Sequence, residues 1–195
     1  MAINPHEIPA HLHYLLCIED DLQRLSRWIE FSPDNEAVYS IELARLLMTA
    51  SAEVDVVAKA LCKAIDHESK ASNIHAYQSK LIKAVPMLPD AKVLMPRYGM
   101  TFNPWASWNK KENPPDWWTG NNKVKHHRAE HFNQANLKNV LNATAGLLIL
   151  LLLFYSKDSH YLSPTPKLFC PRSFAIMEGE SLRLLIPDET KLPWI

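Results

Sequence analysis

Several things that this 195-residue chain lacks narrow its class before any motif is read. Its three cysteines, Cys17, Cys62 and Cys170, are odd in number and far apart, with no Cys-x-x-Cys pair. That argues against a disulfide framework or a zinc ribbon and fits reduced thiols in a cytoplasmic protein. Neither sign of charge is in excess: Lys plus Arg and Asp plus Glu number 21 each. No overall field therefore draws the protein to nucleic acid or an anionic membrane, and any such contact must be local. The first residues, Met1 to Glu7, contain no basic stretch leading into an apolar one, so no export signal is expected. The strongest apolar run, Ala143 to Tyr155, falls short of the roughly 20 residues of a membrane span and is expected to be a buried core helix. There is no internal repeat and no low-complexity tract. The length suits one globular domain with a small appendage.

What is present is mostly helical periodicity. His13 to Phe31 repeats apolar residues at helical intervals (Leu15, Leu22, Leu25, Trp28) and Ser32-Pro33-Asp34 ends it. A longer helix is expected from about Glu36 to His67, with Val38, Ile41, Leu43, Leu47, Val54 and Leu61 on its apolar stripe. Asn73 to Val85 predicts a shorter helix, closed by Pro86 and Pro89. Between Val93 and Trp108, Pro96, Gly99 and Pro104 interrupt helices while Val93, Tyr98 and Phe102 favour extended backbone, which predicts a short hairpin or an ordered aromatic loop. A final long helix is expected from Asn122 to about Lys157. Beyond it, Phe174 to Met177 and Ser181 to Ile186 flank Glu178-Gly179-Glu180 as a β-hairpin. The expected organisation is a helical domain over residues 1–158 and a β-rich appendage over residues 159–195.

The stretch richest in chemistry is Pro115 to Arg128. Trp117 and Trp118 can pin a loop, Gly120 with Asn121 offers a turn, and helical spacing from Asn122 places His126 on the same face. Lys125 and Arg128 flank that pair, and His127 and His131 form a second pair four residues apart. A histidine titrating near neutrality suits proton transfer. Asparagine can orient it or bind phosphate, neighbouring cations can stabilise charge on a phosphoryl group, and a helix N-terminus supplies anion donors.

Two long helices, a spacer and a long helix opening on Asn-x-x-x-His resemble the HEPN superfamily of helical domains, rich in RNases of toxin-antitoxin and phage-defence systems. The resemblance spans roughly Leu12 to Lys157. Trp117-Trp118, Asn122-x-Val124-Lys125-His126-x-Arg128 and Ala135-Asn136-Leu137-x-Asn139-Val140-Leu141 are similar to an uncharacterised bacterial branch of it. The family pattern is an Arg, often followed by Asn, and then a His. Asn122 and His126 match the last two, and Asn121 stands where the Arg would be. The resemblance implies a HEPN-like helical bundle, a homodimer, and metal-independent endoribonuclease chemistry without a cofactor. Asn122 and His126 would be catalytic, with Lys125 or Arg128 supplying the missing charge. RNA contacts would fall to Lys123, His127 and His131, with support from Glu53, Trp117 and Trp118. RNA and an antitoxin or companion protein are the implied partners.

Blander roles stand beside these. Asn122 can simply cap a helix, and Lys125 and Arg128 can be solvated charges. The four indoles Trp105, Trp108, Trp117 and Trp118 can stack on bases or serve as core anchors. His127 and His131 have the spacing of half a metal site, with no third ligand in sequence. Glu53, Asp55 and Lys59 lie on a core helix, where an internal polar network is the expected role and contact with His126 an alternative. Cys62 reads as a small buried hydrophobe. The competing function is a non-catalytic module that binds a protein or nucleotide or dimerises; a membrane contact through Gly146 to Tyr155 is a third.

Overall fold

The computed structural model describes residues 9–187 and 190–193. Met1 to Glu7, where an export signal was sought, lies outside them. The chain is mainly helical, with two small antiparallel sheets. Its helices are α1 (Ala10–Leu25), α2 (Ile41–Ile65), α3 (Ile74–Ala84), α4 (Asp116–His126), a single turn α5 (Arg128–His131) and α6 (Leu137–Tyr155).

The expected core helix is the centre of the molecule. Fifteen of the nineteen residues of α6 are buried, and α2 lies along it more extensively than any other element, with α4 and α1 alongside. The helix is long and apolar enough to cross a membrane by composition, but 83% of its apolar window is buried inside the protein. Its hydrophobic surface is consumed by packing, the largest favourable term in folding.

Three helix boundaries differ from expectation, each for a local reason. The first helix ends at Leu25 rather than Phe31, because its apolar face loses its neighbour there: Trp28 is 84% exposed. The second begins at Ile41 rather than Glu36. Ser40 caps it by accepting the Leu43 N–H at 3.1 Å, and a good cap outweighs one more weakly placed valine. The residues released from helix then serve α6: the Leu137 and Lys138 N–H groups, orphans of its first turn, donate to the carbonyls of Val38 and Glu36.

The largest difference is in the final helix, which is two helices with a break. The chain is already helical at Asp116, six residues before the expected start at Asn122, so Trp117, Trp118 and Gly120 are helical rather than parts of a loop and turn. It breaks at His127 (φ −138°, ψ 46°), passes through α5 and a 3-10 turn, and restarts at Leu137. The asparagines explain where the helix restarts, since their side chains compete with helical backbone. Asn136 accepts the Asn139 N–H at 2.9 Å as the cap of α6 and donates to the Asn133 carbonyl, while Asn139 donates to the Gln134 carbonyl at 2.8 Å.

The shorter helix runs from Ile74 with Asn73 as its cap. The hairpin is β1 (Val93–Met95) with β2 (Met100–Phe102), turning through Gly99 at φ +62°. Further on lie β3 (Tyr161–Leu162), β4 (Cys170–Pro171), β5 (Ala175–Glu178) and β6 (Ser181–Leu184). The β5–β6 hairpin turns at Gly179 (φ +59°), and β3 completes its sheet on the other side of β6. The segment after α6 also reaches back: β4 pairs with β1, and Glu19 of α1, 2% exposed, accepts the N–H groups of Lys167, Leu168 and Phe169 at 2.7 to 2.9 Å. Burial raises the Glu19 carboxyl pKa, and these three donors oppose the shift.

Glu53 and Asp55 do make the expected polar ties between helices. Glu53 meets His11 Nδ1 of α1 at 2.5 Å, and Asp55 accepts the Tyr77 hydroxyl of α3 at 3.0 Å. Cys62 is fully buried, its thiol pushed up to about 11 by desolvation, which leaves it an inert apolar filler.

Candidate functional site

The stretch from Asp116 to His126 is positioned by its indoles. Pro115 precedes the helix and Asp116 opens it, an acid at the end where the helix dipole favours one. Trp117, 2% exposed, donates to the Pro104 carbonyl at 2.9 Å and meets Trp105 edge-on at 5.3 Å. Trp105 in turn lies 4.3 Å from Trp108 and donates to the Gly146 carbonyl of α6. Gly146 makes room for this group: a Cβ there would stand 3.3 Å from Trp117 and 3.4 Å from Trp105. Three of the four indoles are thus core anchors, and Trp118, only half-buried, is left for the surface.

Trp117, Gly120, Asn121 and Val124 form the inward face of α4. Gly120 lets it lie directly on α6, since a Cβ there would come within 2.6 Å of the Asn139 amide. The opposite face carries Asn122, Lys123, Lys125 and His126, all exposed. Asn121, which stands where the family's arginine would be, therefore points inward at 8% exposure, its side-chain oxygen without a hydrogen-bond partner.

The structure sorts the expected site residues into separate places. A cleft of about 310 Å³ between the start of α3 and the outer face of α4 collects Trp118, Asn122, Lys123, His126 and His127. Arg128 is elsewhere. Its guanidinium lies 3.8 Å from the Met48 sulfur, on the wall of a groove of about 520 Å³ with Ile41, Ala44 and Phe132. Lys125 lines neither cavity. His131 meets His127 edge-on at 6.5 Å, and among the described residues no three His, Cys, Asp or Glu side chains converge as a metal site requires. Glu53 is bonded to His11, which corrects the alternative of a contact with His126.

On the α4 wall the cleft does not lie at a helix N-terminus as expected. Asn122 is inside α4 and caps nothing, and Lys123, Lys125 and His126 occupy the last turn. Cations there are favoured by the negative end of the helix dipole, so on this wall an anion must be held by side chains; the opposite wall, Ile74 and His75, is the first turn of α3. Lys123, Lys125 and Arg128 form no ion pair among the described residues. Their charge is uncompensated and available to a ligand.

Sequence reasoning missed His75, which lines the cleft from the α3 wall. It is an exposed polar residue in the first turn of α3, two positions after the cap Asn73, and no spacing rule links position 75 to position 126. No protein-family model matches the chain, and neither a curated protein nor a solved structure shows significant similarity to it.

Proposed function

We propose that the α3–α4 cleft binds RNA and cleaves it, making the chain an RNA-directed effector of a bacterial defence or toxin system with a divergent HEPN-like motif. One observation carries this reading: a single cleft holds an unpaired ammonium (Lys123), an imidazole (His126), an amide (Asn122) and a half-buried indole (Trp118). These are groups that a ribonuclease working without a metal can use. An indole face stacks on a base, an ammonium stabilises charge on the phosphoryl oxygens, and an imidazole moves protons at neutral pH. His127 adds a second imidazole to the rim of the cleft. In this reading Lys123 takes the part that the resemblance gave to Lys125 and Arg128, because it is the cation on the cleft wall.

The test is incubation of wild-type and His126→Ala protein with mixed cellular RNA in EDTA, followed by analysis of fragment ends. Wild type should leave 2',3'-cyclic phosphates and the variant none, with an unchanged melting temperature because His126 is exposed. Equal cleavage by both proteins sinks the reading.

The Arg128 groove favours a second reading, a module for dimerisation or partner binding. It is lined by Met48, Phe132 and Ile41, and Ile41 is 77% exposed, with Tyr39 at 52% on the chain just before it. Exposed apolar groups gathered in this way are a mark of interaction surfaces. Ile41→Glu should lower self-association in sedimentation experiments if the protein is a homodimer through this face; an unchanged monomer would count against it.

A further inference from the structure

His75 lines two cavities. On one side is the cleft with His126; on the other, a cavity of about 410 Å³ runs along α3 past Gln78, Ser79 and Ile82 to Trp108 and Lys111. Each is within the size range of small-ligand sites, roughly 300–1,000 Å³. A strand of ligand lying over His75 would reach both.

Cleavage by the 2'-hydroxyl needs two proton carriers on opposite sides of phosphorus. His126 is one. His127 follows it in the chain, and adjacent residues on a helix end diverge instead of facing each other across a site. His75 comes from the opposite wall. Resting on the function proposed above, we infer that His75 is the second proton-transfer residue and that single-stranded RNA lies over it with a nucleotide on each side.

In the step, one of the two imidazoles, neutral, takes the 2'-hydroxyl proton as that oxygen bonds to phosphorus. The bond from phosphorus to the 5'-oxygen breaks, and the other imidazole, protonated, gives its proton to the departing oxygen. The products are a 2',3'-cyclic phosphate and a 5'-hydroxyl, and the pair ends with its protonation exchanged. The other ionisable groups facing His75 are Lys123 and His127 from α4 and Lys111 and Glu112 from the loop before it. Lys111 and Glu112 lie 3.9 Å apart as an ion pair, which leaves Lys123 as the cation on the cleft wall for a phosphodiester.

The experiment is an NMR titration of the histidine ring signals of the full-length protein with a 2'-O-methyl dinucleotide, which binds but lacks the attacking hydroxyl. His75 and His126 should shift with one shared binding curve, while exposed His160 in the tail stays still. Movement of His126 without His75 overturns the inference and leaves the cleft standing; movement of neither removes both. Cleavage kinetics form the second arm. His75→Ala should lose about 10²–10⁴-fold in rate and one limb of a bell-shaped pH profile, while binding of the dinucleotide stays within a few-fold. An unchanged rate overturns the assignment.

Discussion

Helices α4 and α6 lie against each other, yet they use their side chains in opposite ways. In α6 nearly every side chain is inside, and its polar residues are committed to the fold: Asn139 and Thr144 are bonded to the carbonyls of Gln134 and Val140. In α4 the inner face is as firmly held, through Trp117 and Gly120, but the outer face carries two lysines and the His126 imidazole, whose side chains form no hydrogen bond or ion pair among the described residues. Glu19 marks the other extreme, a titratable group with three bonds to backbone and almost no exposure. A polar group that serves the fold is bonded within it, whereas one that serves a ligand is held in place by its neighbours and left unbonded at its tip.

If the comparison holds, the largest loss of stability comes from α6. Leu148→Ala removes a fully buried side chain and should cost about 2–5 kcal/mol in urea unfolding. A cost below 1 kcal/mol would mean that α6 is less central than its burial indicates. Next is the seam between the two helices. Gly120→Ala gains about 1 kcal/mol of helix propensity but places a Cβ 2.6 Å from the Asn139 amide, and overpacking costs about 1–3 kcal/mol. The net expected is a loss of about 1 kcal/mol, turning into a gain when Asn139 is also replaced by Ala. A double-mutant cycle without coupling would contradict the close approach.

Glu19 should give a smaller, pH-dependent effect. Its raised pKa means that the folded protein keeps a proton that the unfolded chain has already lost. Stability from this group is full below the ordinary glutamate pKa and falls as pH rises through the raised value. Glu19→Gln should flatten that slope; identical slopes would show that the three backbone donors cancel the effect of burial, and a slope of the opposite sign that they outweigh it. The smallest stability effects belong to the outer face of α4. Lys123→Glu and Lys125→Glu should each stay within about 0.5 kcal/mol of wild type, while Lys123→Glu weakens single-stranded RNA binding more strongly, because only Lys123 lines the cleft. Fluorescence anisotropy at two salt concentrations measures this, and equal losses would argue for diffuse charge rather than a site.

Much of the helical architecture was legible because it rests on periodicity and caps. Asn73 before α3, the apolar run of α6 and the Gly99 and Gly179 turns all announce themselves locally. The break at His127 did not, since helical spacing continues through it, nor did the restart at Leu137; the bonds of Asn136 and Asn139 that fix it show only once their carbonyl partners are placed. The candidate site was half legible. Asn122, His126 and Trp118 were singled out and share the cleft with Lys123 and His127, but Arg128 faces Met48, Glu53 is bonded to His11, and His75 carried no signal.

The sequence by itself determined that this is a mainly helical protein with an apolar central helix and small β-hairpins, because burial patterns and turn residues act over a few positions. Only the tertiary structure decided which exposed groups share a cleft. That depends on where α3 lands against α4: Trp105, Trp117 and Gly146 seat α4 on α6, while Gln78 of α3 donates to the carbonyls of Trp108 and Lys110 in the loop before α4. No spacing along the chain encodes it, because the side chains that face one another across the cleft belong to helices whose relative position is decided by packing.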